Sequence, residues 1–291
     1  MDAVMATRYV TPLREGGSLP GLMEADDLGM YVVKFRGAGQ GPAALVAEVI
    51  CAGLASAAGL DVPRWVPVEL PAQLAPAEPD EEVQHLLRAS AGLNLGIDFL
   101  PGALDVGPMP AASPGFAGRV VWLDALVGNR DRSWRNPNML TWHGRLYLID
   151  HGATLTFHHS WAPDRPDQVE RYARQPYPVA DHALLECRPD VAAADAVLGA
   201  IPWPEVIRAA VAEVPEQWLD TGFGEPDAVR AAYVAFLLAR VAARDVWVPA
   251  LTADVAAGPA RDAQGHRVAA RPGSGAPAWV RERGIGREAG S

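Results

Sequence analysis

Two acids and an amide in one short stretch of the chain have the types and spacing needed to hold a metal-bound phosphate. Asp131 and Asn136 lie five positions apart on a predicted loop, and Asp150 follows a short apolar run, with Gly152 two positions later. Mg²⁺ prefers oxygen ligands and usually takes one or two of them from the protein. A D-x-x-x-x-N pattern followed by D-x-G therefore predicts a site for phosphoryl transfer.

The use of asparagine indicates that this stretch is a site rather than an ordinary loop. The chain contains four asparagines, and three of them fall within the ten residues around Asp131: Asn129, Asn136 and Asn138. Asparagine is therefore not scattered through the chain as turn filler. Apolar residues with helical spacing predict a helix directly before this stretch.

One lysine and one glutamate upstream have the character of a functional pair. Of 25 basic residues, Lys34 is the single lysine, and it lies near the end of a predicted strand. Glu48 is the single charged residue on an apolar helix predicted to begin at Pro42 and to end at Gly59. A carboxylate on a buried helix is costly unless it meets a cation. A strand lysine paired with a helix glutamate positions the lysine on nucleotide phosphates in kinases. Two alternatives remain. Lys34 could be a surface lysine retained by chance, and Glu48 could lie on a solvent-exposed side of its helix.

The elements before Lys34 are predicted to be three antiparallel strands over residues 7–33, joined by short turns. The turn at residues 14–21 is rich in glycine, so its backbone amides can approach a ligand closely. It is either a phosphate-binding loop or a plain hairpin turn.

Composition restricts the class of protein. The 291 residues can bury a substantial core, and the net charge of −10 argues against direct nucleic-acid binding. No run is long and apolar enough for a membrane span, and no signal-peptide pattern is present, so we expect a cytoplasmic protein without membrane contact. Cys51 and Cys187 are expected to be reduced thiols rather than a disulfide.

The order of elements predicts an α+β, two-lobed, protein kinase-like fold, with a small antiparallel β-sheet lobe and one key helix preceding a mainly helical lobe. We expect a β-rich nucleotide-binding lobe at 1–100, a helical catalytic lobe at 101–256 and a disordered tail at 257–291. The tail is rich in Gly, Ala and Arg and lacks periodicity.

Three segments resemble a known family. Residues 128–140 and 146–152 read GNRDRSWRNPNML and LYLIDHG, and residues 47–63 read AEVICAGLASAAGLDVP. These segments resemble the HipA-like kinases and their distant relatives, the phosphatidylinositol kinases, and the similarity spans roughly residues 10–160.

The resemblance implies ATP and Mg²⁺ as cofactors and a role for each candidate residue. Asp131 would be the catalytic base, Asn136 and Asp150 the magnesium ligands, and Lys34 the phosphate-binding lysine with Glu48 as its partner. Gly16, Gly17, Ser18 and Gly21 would form the phosphate loop, and Phe99 and Leu100 would line the adenine hinge by position.

The sequence departs from the family pattern in two ways. His151 occupies the position of the aromatic residue in D-F-G. The activation mechanism that depends on that aromatic side chain therefore cannot be transferred to this chain. The chain also begins almost directly at the predicted kinase lobe, so we expect the extra N-terminal subdomain of typical HipA toxins to be missing. An antitoxin partner and the glutamyl-tRNA synthetase substrate of those toxins are then doubtful.

Several functions remain open at this point. The first is an ATP-dependent kinase that phosphorylates a Ser or Thr hydroxyl of a protein, and the second is a small-molecule kinase of the same fold. Three arginines near Asp131 hold either an anionic acceptor or the loop itself: Arg130, Arg132 and Arg135. A third reading is a nucleotide-binding pseudokinase, and a fourth is a metal-dependent hydrolase built on aspartates and histidines: His143, His151, His158 and His159.

Overall fold

The computed structural model describes residues 2–13, 19–107, 110–161, 167–219, 224–262 and 264–268. Within these residues the strands are β1 (Val4–Pro12), β2 (Gly21–Ala25), β3 (Met30–Lys34), β4 (Trp65–Leu70), β5 (Gly92–Asp98), β6 (Leu104–Asp105), β7 (Met139–Trp142) and β8 (Arg145–Leu148). The α-helices are α1 (Pro42–Ala57), α2 (Glu81–Ala89), α3 (Pro114–Val127), α4 (Gln168–Arg174), α5 (Val191–Leu198), α6 (Trp203–Ala212), α7 (Pro226–Ala242) and α8 (Arg244–Ala257).

The first part of the chain forms a five-stranded barrel. Its strand order is β1-β2-β3-β5-β4, and a parallel contact between β1 and β4 closes it. The other four pairs are antiparallel, so the three antiparallel strands predicted over residues 7–33 are confirmed. Side chains of β3 alternate as in any half-buried strand, so Tyr31 and Val33 point into the barrel core. Lys34, the next residue, does not belong to that core.

Local sequence signals set both ends of α1. Pro42 occupies the first turn, where its missing N–H costs no hydrogen bond. At the other end Gly59 has a φ of +69°, and the N–H groups of Gly59 and Leu60 each donate at 3.0 Å to carbonyls of the last turn, those of Ser56 and Ala55. These two bonds are a Schellman cap. The predicted start and end of this helix are confirmed.

The helix α1 belongs to the core of the helical part as well as to the barrel. One large apolar cluster joins α1 to Leu95 of β5 and to helices α3 and α5–α8. In this cluster Trp122 stacks on Trp203 with ring centroids 5.5 Å apart, and it contacts Trp247 at 5.4 Å. The helix that carries Glu48 is therefore held by both parts of the molecule.

The chain folds back after α8. Arg261 Nη2 donates to Glu186 Oε1 at 2.6 Å, and Arg267 Nη2 donates to the carbonyls of residues 180 and 182. The disordered tail predicted at 257–291 includes these residues, so its first part has a defined place against the helical part. Residues 269–291 lie outside the described residues.

The predicted α+β architecture is confirmed, because a barrel with one buried helix precedes a mainly helical part. Cys51 is buried and Cys187 half-buried, and the two are not joined in a disulfide. Within the described residues, no helix combines the length and apolar character needed to cross a membrane.

Candidate active site

Lys34 lies at the centre of the candidate site. Its ammonium group, at the end of β3, donates to Oε1 of Glu48 on α1 and, at 2.7 Å, to Oδ1 of Asp150. The predicted pairing of Lys34 with Glu48 is present. The contact with Asp150, which lies 116 residues further along the chain, was not predicted. Three candidate residues from three separate elements thus meet at one point.

Charge attraction outweighs burial in the Lys34–Glu48 pair. The side chains of Lys34 and Glu48 are only 13% and 5% exposed. Burial by itself lowers the pKa of Lys34, but the carboxylates of Glu48 and Asp150 raise that pKa above its ordinary value. Burial by itself raises the pKa of Glu48, but Lys34 and His151 hold it well below its ordinary value. The pair is therefore ionised at neutral pH and presents a fixed cation.

The turn after β8 directs Asp150 towards Lys34. Asp150 has a φ of +56°, a left-handed conformation that costs a residue other than glycine about 1–3 kcal/mol. Two positions later, the N–H of Gly152 donates to Glu48 Oε1 at 2.8 Å. A Cβ atom on Gly152 would lie 3.3 Å from that oxygen. The glycine of the D-x-G motif is therefore explained by the close approach of the α1 carboxylate.

Asp131 lies in the loop after α3 and has one oxygen fixed by amides. Its Oδ2 atom accepts hydrogen bonds from Nδ2 of Asn136 at 3.2 Å and from Nδ2 of Asn138 at 2.9 Å. No hydrogen bond from the described residues reaches its Oδ1 atom. The loop therefore brings together Asp131 and Asn136, as predicted, and leaves one carboxylate oxygen available.

A buried carboxylate at the end of α3 holds this loop in place. Asp124, in the last turn of α3, accepts from Arg132 Nε at 2.7 Å, from His182 Nε2 at 3.0 Å and from Asn129 Nδ2 at 2.9 Å. Asn129 Oδ1 in turn accepts from the backbone N–H groups of Asp131 and Arg132, at 3.1 and 3.3 Å. Burial opposes the charge of Asp124, but Arg132 and His182 lower its pKa to about 2.

Sequence reasoning missed most of this supporting network. Of the two roles considered for Arg132, the structure supports the second, because its side chain is fully buried against Asp124 and holds the loop. Asp124 and His182 were not predicted at all. Asn129 and Asn138 were noticed only through the clustering of asparagine.

His151 joins the two groups of contacts. Its Nε2 atom lies 3.1 Å from Arg132 Nη2, and its Nδ1 atom lies 3.7 Å from Glu48 Oε2. Arg132 can only donate, so Nε2 accepts and the proton of a neutral imidazole is on Nδ1, on the side of Glu48. The residue in place of the D-F-G aromatic is therefore a buried polar bridge.

Comparison with known proteins decides the family. A sequence model of the HipA-like kinases matches residues 7–249. This chain belongs to the HipA-like kinase family. Among solved structures, it is similar to the Helicobacter pylori proinflammatory kinase CtkA, with 9% identity and a TM-score of 0.46, over 87% of this chain and 98% of that one. It is also similar to the Golgi casein kinase, with 11% identity and a TM-score of 0.38, over 84% of this chain and 72% of that one. No curated protein matches the chain.

The family match confirms the resemblance seen in the sequence and extends it. The sequence resemblance rested on roughly residues 10–160, whereas the family match also includes helices α4 to α7 in full. The protein is a kinase with the two-lobed, kinase-like fold that was predicted.

The other candidate residues of this HipA-like kinase have less defined roles. Gly16, Gly17 and Ser18 lie outside the described residues. Gly21 is the first residue of β2, where Tyr9 and Phe35 leave no room for a side chain. The phosphate loop predicted at 14–21 therefore ends at a tightly packed strand residue.

The predicted hinge follows β5. The side chain of Phe99 is 37% exposed, but its N–H already donates to the carbonyl of Met30 at 3.0 Å. The N–H of Phe99 is thus not free to donate to a ligand.

The histidines of this HipA-like kinase do not assemble into a hydrolase site. His143 contacts Trp142, and His151 belongs to the bridge described above. His158 lies between Tyr233 and His159. Within the described parts of the chain, no three His, Cys, Asp or Glu side chains form a group suited to a metal ion.

Proposed function

We propose that this HipA-like kinase transfers the γ-phosphate of ATP, with Mg²⁺, to a Ser or Thr hydroxyl of a protein. One observation carries the proposal: the ammonium of Lys34 is bonded at once to Glu48 and Asp150. In phosphoryl transfer a fixed cation holds the nucleotide phosphates while a neighbouring carboxylate binds the metal. The ammonium of Lys34 and the carboxylate of Asp150 are neighbours of this kind.

The oxygen atoms at the site fit Mg²⁺. Asp150 uses Oδ1 for Lys34, and no hydrogen bond from the described residues reaches its Oδ2 atom. Asn136 is exposed and donates through Nδ2, which leaves its carbonyl oxygen available. These two oxygens would hold the ion, with further ligands from phosphate and water, as Mg²⁺ usually requires. When bound, Mg²⁺ would neutralise charge on the phosphates.

Asp131 would orient the acceptor. Its Oδ1 atom remains available to accept the hydroxyl proton, while Asn136 and Asn138 fix the direction of the carboxylate through Oδ2. Lys34 would bind the nucleotide phosphates, with Glu48 as its anchor. The glycine turn at 14–21 and the hinge at Phe99 and Leu100 would complete the ATP site.

Two substitutions test this proposal. Asp150→Ala should abolish phosphate transfer, measured with γ-labelled ATP and host lysate, while circular dichroism shows a retained fold. An active Asp150→Ala enzyme would contradict the assignment. Lys34→Met should lower the rise in melting temperature caused by Mg-ATP, and an unchanged rise would contradict its role. If wild type binds Mg-ATP but labels nothing and forms no ADP, the chain is a pseudokinase.

A further inference from the structure

Two arginines lie against one tryptophan of the loop that carries Asp131. The guanidinium carbon of Arg135 lies 4.2 Å from the centroid of the Trp134 ring, and that of Arg267 lies 5.7 Å from it. Arg267 comes from the segment that folds back after α8, so the two cations reach Trp134 from distant parts of the chain. Stacking on an aromatic ring holds a guanidinium in place without using its N–H groups.

Arg267 has hydrogen-bonding capacity that the protein does not use. Its Nη2 donates to the carbonyls of residues 180 and 182, whereas its Nε and Nη1 atoms are shielded from solvent and have no partner among the described residues. A shielded cationic donor without a partner is costly, and a bound anion would relieve that cost. Burial lowers the pKa of Arg267; Glu186 and Asp181 oppose this, and nearby Arg261 and Arg135 add to the lowering.

The neighbouring acids are already engaged with other groups. Asp181 accepts from the indole N–H of Trp134 at 3.3 Å, and Glu186 accepts from Arg261 at 2.6 Å. Arg135 itself is exposed, and no salt bridge joins it to an acid in the described parts of the chain. Three arginines (Arg135, Arg261 and Arg267) thus face two acids (Asp181 and Glu186) around Trp134, a local excess of positive charge in a chain whose net charge is −10.

This cationic surface lies in the turn between the two residues that face the acceptor and the metal. In the stretch from Asp131 to Asn136, Arg132 points inward to Asp124, and the backbone of Ser133 pairs with Asn136. Trp134 and Arg135 remain on the outer side of the turn. Trp134 and Arg135 follow Asp131 by three and four positions, so an acceptor bound at Asp131 would lie near these outer side chains.

We propose that Arg135 and Arg267, held on Trp134, form an anion-binding subsite that selects protein acceptors with a carboxylate or phosphate near the phosphorylated hydroxyl. The proposal rests on the proposed function, because it names the acceptor class of the same site. The exposed Arg135 would meet the anion first. A small movement of Arg267 would then give its two unpartnered nitrogens a charged acceptor.

The test uses the full chain with γ-labelled ATP and a library of Ser-containing peptides. One arm has glutamate near the serine, a second has phosphoserine, and a third has arginine, which separates carboxylate from phosphate recognition. We expect kcat/KM for an acidic arm to exceed that for the basic arm by roughly tenfold or more, as for one charged hydrogen bond. Arg135→Glu should reverse the preference, chiefly through KM, and Arg267→Ala should weaken it.

Controls separate binding from folding. Arg208→Glu changes an exposed arginine on α6 that bonds a carbonyl of its own helix, and it should keep the wild-type preference. Calorimetric binding of an acidic peptide with alanine in place of the serine should weaken in Arg135→Glu, which needs no catalysis. Arg135 is exposed, so this variant should fold even if Arg267→Ala does not.

The possible outcomes are distinct. An acidic preference that persists unchanged in Arg135→Glu, or a wild type that prefers neutral or basic peptides, would overturn the subsite. If wild type labels a protein of the host lysate but labels no library peptide, the subsite is overturned while the phosphotransferase stands. If no ADP forms at all, the proposed function itself fails, and the subsite with it.

Discussion

Asp124→Asn should lower the stability of this kinase and loosen the loop that carries Asp131. The side chains of Asp124 and Arg132 are both fully buried, and their 2.7 Å contact is a charged pair without access to water. Asparagine keeps the size of the side chain but removes the charge. It also places an NH₂ group among neighbours that all donate to this position: Arg132, Asn129 and His182.

The magnitude follows from the burial of this pair. Removing one partner of a buried ion pair costs about 3–5 kcal/mol, because the other charge stays buried without compensation. The loss of stability at low pH gives a second estimate, since the fold lowers the pKa of Asp124 from an ordinary value of 3.8 to about 2. This difference corresponds to roughly 2 kcal/mol of stability, present above about pH 4 and lost as pH falls towards 2.

Urea denaturation at pH 7 would measure the stability change, and a series down to pH 2 would show whether Asp124→Asn removes part of the acid sensitivity. The value of kcat should fall roughly 100-fold, because Asn129 would no longer hold the backbone at Asp131 in place. Asp195→Asn is a matched control. Asp195 accepts from Trp122 at 2.8 Å and lies 3.6 Å from Arg244, so its loss should lower stability without changing kcat.

A double substitution measures the coupling between Asp124 and Arg132. In Asp124→Asn with Arg132→Met no charge remains unpaired, so the double variant should cost less than the sum of the single variants by about 1–3 kcal/mol. Additive costs, or an Asp124→Asn variant that loses under about 1 kcal/mol and keeps kcat, would show that the pair does not hold the loop.

Three further substitutions have defined outcomes. Gly152→Ala crowds Glu48 Oε1 at 3.3 Å, so the melting shift with Mg-ATP should decrease while the apo protein stays folded. Asn138→Gly tolerates the φ of +50° but removes one amide from Asp131, so kcat should fall about tenfold in a transfer assay. Arg240→Met leaves carbonyls of α3 and α4 unpaired, and urea denaturation should show a loss of about 3 kcal/mol with little change in KM.

The features of the fold that were predictable are those set by nearby residues. The ends of α1 follow from Pro42 and Gly59, whose conformational preferences act locally. The closing contact of the barrel was not predictable in the same way. It pairs Val4 with Val68 in parallel, and nothing near either residue specifies a partner so far along the chain.

The same distinction applies to the candidate site. Glu48 was predicted to need a cation because it is the one charge on an apolar helix, and the chain offered a single lysine. Asp124 is the one acid of α3, so equal reasoning predicts that it needs a cation too. The sequence could not say which arginine turns inward, because Arg130, Arg132 and Arg135 are all within reach. The second partner of Asp124, His182, was also beyond prediction, because tertiary folding brings it from 58 residues away.

His151 links the two buried carboxylates, Glu48 directly and Asp124 through Arg132, to the turn that carries Asp150. Glu48 contacts the backbone of Gly152 from the barrel side, and Arg132 contacts His151 Nε2 from the loop side. An aromatic residue at position 151 would fill the space but leave Arg132 Nη2 without this acceptor. Release of the turn that carries Asp150 therefore requires the loss of buried polar contacts on both sides, not the movement of one apolar ring. Polar contacts of His151, at the position where D-F-G kinases have an aromatic side chain, thus connect the Lys34–Glu48 pair to the loop that carries Asp131.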